Sequence, residues 1–303
     1  MAEKIDIAVA WDWPYDRDFL SLIDAESRRR GLRMSAFGAG EAAGAGAALK
    51  SGALSVGTFL DRAAPDEEPF AALSAAMVAS GARCLNHPDA VRKAADKATM
   101  HMEFLSHGIA VPYTIIISPY SRERQVELSL EQLARLGRPF IIKPANTTGG
   151  GTGVITGAET LKDVIDSRKH HQDDKYLLQE RVVPADLAGR RAWFRVFFVC
   201  GAVFPCWWDD FTHVYSELTE DQIGSFSLSS LVSITREIGL VCRLDFFSTE
   251  IAMTSGGRFV TVDYVNEICD MRLQSRYADG VPDRLALEIS GLLADAAQGD
   301  GRE

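Results

Sequence analysis

Lys143 ends an apolar run, Phe140-Ile141-Ile142-Lys143. Ten mostly small, hydroxylated or glycine positions follow it, Pro144-Ala145-Asn146-Thr147-Thr148-Gly149-Gly150-Gly151-Thr152-Gly153. A second apolar run, Val154-Ile155-Thr156, begins where the glycines stop. Glycine removes Cβ, so backbone N–H groups can approach a phosphate closely, and threonine hydroxyls add donors. The lysine adds a compact positive charge beside them. A ligand-free hairpin turn is the bland alternative. Four glycines and three threonines in seven residues would be an entropically expensive way to build one. The stretch reads as a nucleotide-phosphate cradle. It is not a Walker A loop, because no Gly-Lys-Ser/Thr opens a helix. It is not a dinucleotide fingerprint either, because it joins two strands.

Other reactive residue types sit in settings that ask for a partner. Arg195 lies mid-strand in Phe194-Arg195-Val196-Phe197-Phe198, so it must be ion-paired or face a ligand. Asp245 is flanked by Leu244, Phe246 and Phe247, where an acid is expensive to bury without a cation. Lys97 follows Ala95-Asp96, Gln179-Glu180-Arg181-Val182-Val183 ends a strand, and Val262-Asp263-Tyr264-Val265-Asn266 comes last.

In that order the motifs resemble the ATP-grasp superfamily over about residues 86–275, and within it the carboxylate–amine ligases. The resemblance implies an α/β and α+β chain. A Rossmann-like pre-grasp domain would occupy 1–88, a central lobe with the glycine-rich loop 89–183, and a C-terminal lobe with the metal and substrate site 184–303. It implies ATP and Mg²⁺, with Lys97 and Lys143 neutralising phosphates and Thr148, Gly149, Gly150, Gly151, Thr152 and Gly153 closing over them. Gln179, Glu180 and the backbone of Arg181, Val182 and Val183 would form the adenine hinge, an acid there holding the ribose. Arg195, with Lys143, would face the transferring phosphoryl group. Asp245, Asp263 and Asn266 would hold the metal, as Mg²⁺ favours hard oxygen donors.

The implied reaction joins a small-molecule carboxylate to an amine through an acyl phosphate. Phosphorylation of a hydroxyl, or nucleotide binding without catalysis, are the alternatives. Two departures bear on the site. The superfamily's metal motif has glutamate and asparagine two positions apart, whereas Asp263 and Asn266 are three apart. Residues three apart do not share a strand face, so the strand must bend or end near Val265, which leaves Glu267 as a rival ligand and Glu250 as a weaker one. The usual Pro-Gly after the asparagine is replaced by a segment containing Arg272, whose guanidinium fork suits a substrate carboxylate. Trp207 and Trp208 point to opposite strand faces, so at least one belongs to the core. Trp11-Asp12-Trp13 follows the first strand, where loops of α/β sheets meet ligands.

The elements that must position these residues are legible from periodicity. Strands are expected at Ile5–Ala10, Leu32–Phe37 and Leu54–Leu60, with helices at 17–30 and 69–80 and a loop over Gly38–Gly46. One helix is expected over 89–107, then a strand at 114–117, a helix at 130–136, the lysine strand, a helix at 159–170 and a strand at 176–183. Strands at 193–199, 203–208, 242–247 and 259–265 follow, with helices at 227–238 and 283–297.

The 303 residues suffice for two or three subdomains, with 47% hydrophobic and 24% charged residues. Net charge −10 disfavours nucleic acid as a partner. No run approaches membrane-spanning length, and the acidic start is unlike a signal peptide, so a cytoplasmic setting is expected. The five cysteines contain no C-x-x-C pair and the six histidines no H-x-x-x-H or H-E-x-x-H spacing, which argues against structural zinc. No G-x-S-x-G elbow is present. A homodimer is compatible with this reading.

Overall fold

The computed structural model describes residues 2–64, 67–146 and 153–298. Its first layer is β1 (Glu3–Trp11), a 3-10 turn (Pro14–Asp16), α1 (Arg17–Arg29), β2 (Met34–Phe37), α2 (Ala39–Lys50), β3 (Leu54–Arg62), α3 (Phe70–Ala79) and β4 (Arg83–Leu85). The strands are parallel in the order β2-β1-β3-β4, with α2 and α3 on one face and α1 on the other. The Gly/Ala-rich segment expected as a loop forms α2. Its alanines favour the helix, and Glu41 Oε2 accepts from Gly38 N at 3.0 Å to cap it.

The chain continues through α4 (Pro88–Ala95), α5 (Lys97–Ser106), β5 (Thr114–Ile117), α6 (Leu130–Leu136), β6 (Phe140–Pro144), β7 (Ile155–Ala158), α7 (Leu161–Arg168) and β8 (Tyr176–Gln179). These strands form an antiparallel sheet ordered β5-β8-β6-β7. The single helix expected over 89–107 is two. Asp96 takes an extended conformation, and its carboxylate accepts from Ala98 N and Thr99 N, capping a fresh helix at Lys97.

The third part holds the short pair β9 (Asp186–Leu187) and β10 (Arg190–Arg191), then β11 (Trp193–Val199), β12 (Ala202–Trp208), β13 (Tyr215–Glu217), α8 (Glu220–Ser225), α9 (Ser230–Cys242), β14 (Phe246–Met253), β15 (Phe259–Asn266) and α10 (Asp283–Ala297). Its five-stranded sheet runs β13-β12-β11-β14-β15 and is antiparallel throughout. On β11, Phe194 and Val196 pack towards α8 and α9, while Phe197 and Val199 join Phe246, α1 and α10. The strand expected at 242–247 starts four residues later, because α9 runs to Cys242 and Arg243 turns the chain with a left-handed φ of 58°.

A buried ion pair ties the first sheet to the segment after β15. Arg62 Nε and Nη2 reach Asp16 at 2.9 and 2.6 Å, and Nη2 also donates to the Cys269 carbonyl at 2.9 Å. Among the described residues no helix is long and apolar enough to cross a membrane.

Candidate active site

One face of the five-stranded sheet gathers the reactive groups, and strand register decides which. Arg195 on β11 lies opposite Glu250 on β14, and Glu250 lies opposite Asp263 on β15. One step along, Ser248 lies opposite Asn266. Arg195 donates from Nη1 to Glu250 Oε1 at 2.5 Å and from Nε to Ser248 Oγ at 3.1 Å. With the Asn266 amide assigned to satisfy its neighbours, its oxygen accepts from Arg195 Nη2 at 2.5 Å and its nitrogen donates to the Ile268 carbonyl at 3.1 Å. Trp193 Nε1 donates to the other oxygen of Glu250 at 3.2 Å.

The three-residue spacing of Asp263 and Asn266 now has a physical account. Between Ser248 and Glu250 the β14 strand advances two residues while β15 advances three, a register shift of the bulge type. A second shift follows between Glu250 and Ile251. The extra residue restores the alternation, so Asp263 and Asn266 present to the same side although they are an odd number of residues apart.

The two lysines reach this face from the neighbouring sheet and helix. On β6, Phe140 and Ile142 point into the sheet's own core, which sends Lys143 the other way. Its Nζ donates to the Val262 carbonyl at 3.1 Å, lies 3.8 Å from Asp263 Oδ1, and stands 5.1 Å from the centre of the Tyr264 ring. Burial lowers the Lys143 pKa, with Asp263 opposing and Lys97 reinforcing the shift. Lys97, also buried, is held close by its backbone N–H, which donates to the Ala145 carbonyl at 3.0 Å. Burial raises Glu250's pKa, against the opposing charge of Arg195. Burial acts upward on Asp263 too, but Lys97, Lys143 and Arg195 outweigh it and hold that carboxyl below its ordinary value. Three cations from three elements thus converge on one acid.

Thr148, Gly149, Gly150, Gly151 and Thr152 lie outside the described residues, but both ends of their loop are anchored. Asn146 donates from its backbone and side-chain nitrogens to Asp174 at 2.9 and 2.8 Å. Gly153 has φ +76°, and a Cβ there would come within 3.3 Å of Pro144 Cγ.

Several expected site residues stand elsewhere. Asp245 is no part of the acidic row. It precedes β14, its backbone N–H donates to Asn86 Oδ1 at 2.9 Å, and burial raises its pKa with Arg83 opposing. Glu250, five residues on, occupies the place next to Asp263. Arg272 is not open to a substrate carboxylate. Asp270 holds it through Nε and Nη2, Asp279 accepts from Nη2 at 2.8 Å, and the rings of Trp13 and Tyr277 lie 5.7 and 5.2 Å from its guanidinium carbon. Gln179 is buried with its amide turned inward, donating to Tyr264 Oη at 3.0 Å and Thr114 Oγ1 at 3.2 Å. Glu180 accepts from Tyr113 N at 2.8 Å. Arg181, Val182 and Val183 follow outside any strand and lead to Pro184, which bridges to Thr254. Trp207 is core, packed on Phe194 and Phe226, whereas Trp208 lies 5.4 Å from the Arg195 guanidinium carbon.

The donors present suit a magnesium ion. Two carboxylates and one amide oxygen face the same side, and no group of three or more His, Cys, Asp or Glu that could hold a metal occurs among the described residues. Mg²⁺ typically takes one or two carboxylates and completes its shell with phosphate and water.

This is the ATP-grasp fold. Solved structures of that fold match nearly the whole chain. A RimK domain ATP-grasp protein from Sphaerobacter thermophilus matches with TM-score 0.66 and 19% identity, over 95% of this chain and 98% of the other. The ATP-grasp ligase PsnB, complexed with a minimal precursor, Mg and ADP, matches with TM-score 0.62 and 15% identity over 97% of each chain. The D-alanine–D-alanine ligase of Bacillus anthracis, complexed with ATP, matches with TM-score 0.64 and 12% identity over 99% of this chain and 100% of the other. No family model matches the chain, and no curated protein matches it in sequence.

Proposed function

We propose that the protein is an ATP-dependent carboxylate–amine ligase. The observation that carries this reading is the convergence of Lys97, Lys143 and Arg195 on the Glu250–Asp263–Asn266 face. The four-stranded parallel sheet would be the Rossmann-like pre-grasp domain, residues 1–88. Residues 89–183 and 184–303 would be the two lobes between which ATP binds. The structures of PsnB with Mg and ADP and of the D-alanine–D-alanine ligase with ATP make that nucleotide and metal the natural choice.

In this reading backbone groups of Arg181 to Val183 face the adenine edge, and Glu180 is the acid nearest the ribose. Lys143 and Lys97 neutralise phosphate oxygens, and the glycine loop closes over them. Glu250, Asp263 and the Asn266 oxygen hold magnesium, which supplies charge neutralisation of the phosphates when bound. Arg195, pinned by Ser248 and Asn266, points its charge at the phosphoryl group in transit. A substrate carboxylate oxygen bonds to the γ-phosphorus as the bond to the ADP oxygen breaks. An amine nitrogen then attacks the acyl carbon, phosphate leaves and the amine loses a proton. The protein supplies no nucleophile, so catalysis is positioning and electrostatics.

A coupled ADP-release screen of amino acids, offered singly and in pairs with Mg·ATP, tests this. Release that requires both a carboxylate and an amine is expected, and Lys143→Ala should lower it about 100- to 1,000-fold. Release with a hydroxyl compound alone, or full activity of folded Lys143→Ala, would overturn the assignment.

A further inference from the structure

Beside the acidic row, starting at the residue after Asp263, lies a buried hydrogen-bond chain that the reaction scheme does not use. Tyr264 follows Asp263 on β15 and is fully buried. Gln179 Nε2 donates to its oxygen at 3.0 Å, so the tyrosine proton is free to go to His101 Nδ1, 2.7 Å away. His101 and Gln179 are themselves 4% and 1% exposed. The chain therefore joins four elements, α5, β15, β8 and β5, the last through Thr114.

Two members of that chain are placed by a lysine, His101 on the helix of Lys97 and Tyr264 beside Lys143. His101 lies four residues after Lys97 on α5, which places the two on one helix face, a turn apart. The tyrosine ring stands 5.1 Å from Lys143 Nζ, and Val262, two residues before Tyr264 on the strand, accepts the Lys143 hydrogen bond. Tyr264 thus bonds a residue one helical turn from Lys97 and sets its ring beside Lys143. Phenylalanine would keep the ring and its contact with Lys143. It would also strip His101 Nδ1 of its partner and remove one of the two acceptors of the Gln179 amide, both in a buried setting.

We propose that Tyr264 is a positioning residue that sets Lys97 and Lys143 at the separation phosphate binding requires, through its hydroxyl on one side and its ring on the other. The inference rests on the nucleotide site described above. It assigns no contact with substrate to Tyr264 itself.

The test compares folded Tyr264→Phe with the wild type by titration calorimetry against Mg·ATP, and by saturation-transfer NMR against adenosine, which carries no phosphate. ATP affinity should fall about tenfold or more while adenosine binding stays unchanged, because only the lysines are displaced. A second pair of variants keeps the question open to refutation if the tyrosine variant folds poorly. His101→Gln retains an acceptor for the hydroxyl and should keep near-normal ATP affinity, whereas His101→Leu should reproduce the loss. Wild-type ATP affinity in Tyr264→Phe or His101→Leu, with only thermal stability lowered, would overturn the inference. So would equal losses for ATP and adenosine. If the wild type itself does not bind Mg·ATP, the underlying nucleotide reading fails instead.

Discussion

Arg195 and Glu250 face each other across the β11–β14 pairing, with Nη1 2.5 Å from Oε1 and both side chains nearly buried. Each is the other's principal counter-charge. Burial acts to lower the pKa of Arg195, but the carboxyl groups of Glu250 and Asp263 beside it outweigh that and hold it protonated. The same pairing that orients the arginine therefore also keeps a carboxylate next to Asp263, where a cation can be shared. Removing either partner leaves a buried charge exposed to a large penalty.

Glu250→Gln keeps the shape and one acceptor for Arg195 but removes the charge. ADP release should fall about 100-fold or more, and the magnesium concentration needed for half activity should rise. Chelation of magnesium should abolish release in the wild type. A magnesium titration of the coupled assay reads both effects, and an unchanged profile in Glu250→Gln would remove this residue from the metal site.

Asp245→Asn is the matching control. Five extended residues separate Asp245 from Glu250, on the order of 16 Å. Burial raises its pKa, with Arg83 opposing, so the fold penalises this charge and a neutral isostere is well tolerated. ADP release should stay within about twofold and stability within about 1 kcal/mol of the wild type. A loss like that of Glu250→Gln would restore Asp245 to the metal site.

How the sequence misleads at this point is instructive. Lys143 and Arg195 were legible because a cation inside an apolar run must have a partner, and the alternation of β6 and β11 aims each one. The sequence favours Asp245 over Glu250 because Asp245 sits among aromatic residues, a local pattern. The decisive fact is not local: α9 continues to Cys242, β14 starts late, and the strand opposite carries two register shifts. Hydrophobic periodicity reports which residues alternate, not which residue of another strand they meet. For the same reason Arg272 reads as available in the sequence, because periodicity does not report that the turn folds Asp270 and Asp279 onto it or that Trp13 approaches from the loop after β1.

Asp61 should give the protein a distinctive pH dependence of stability. It closes β3, with one carboxylate oxygen buried and unpartnered, and burial, with Asp12 adding to it, pushes its pKa to about 6. The folded state then binds a proton more tightly than the unfolded chain, so this stability is complete below about pH 4 and is lost as pH rises through about 6. His101 acts in the opposite sense: burial and Lys143 lower its pKa to about 4, so its contribution falls away as pH drops from about 6.5 to 4. Comparing Asp61→Asn with the wild type isolates the first term. The variant should be more stable by about 2–3 kcal/mol at pH 7.5 and equal at pH 4 in urea unfolding. Equal stability at both pH values would show that Asp61 is ionised at no cost.

Arg272→Met addresses the segment after β15. The guanidinium neutralises Asp270 and Asp279 and lies between Trp13 and Tyr277, so it fastens the 270–281 turn to the loop that follows β1. Gly280 leaves that turn no slack, since a Cβ there would come within 2.6 Å of the Arg272 carbonyl oxygen. Methionine keeps much of the side chain's bulk but leaves two carboxylates facing each other without a cation. Stability should drop by about 1–3 kcal/mol, and proteolytic cleavage within 270–281 should quicken. ADP release at saturating substrates should stay within about threefold, because the arginine is bound by the protein rather than by a ligand. Asp270→Asn combined with Asp279→Asn should recover part of the lost stability, because the residual repulsion is gone. An intact melting temperature with a large rise in the carboxylate substrate's KM would instead return Arg272 to the role its fork first suggested.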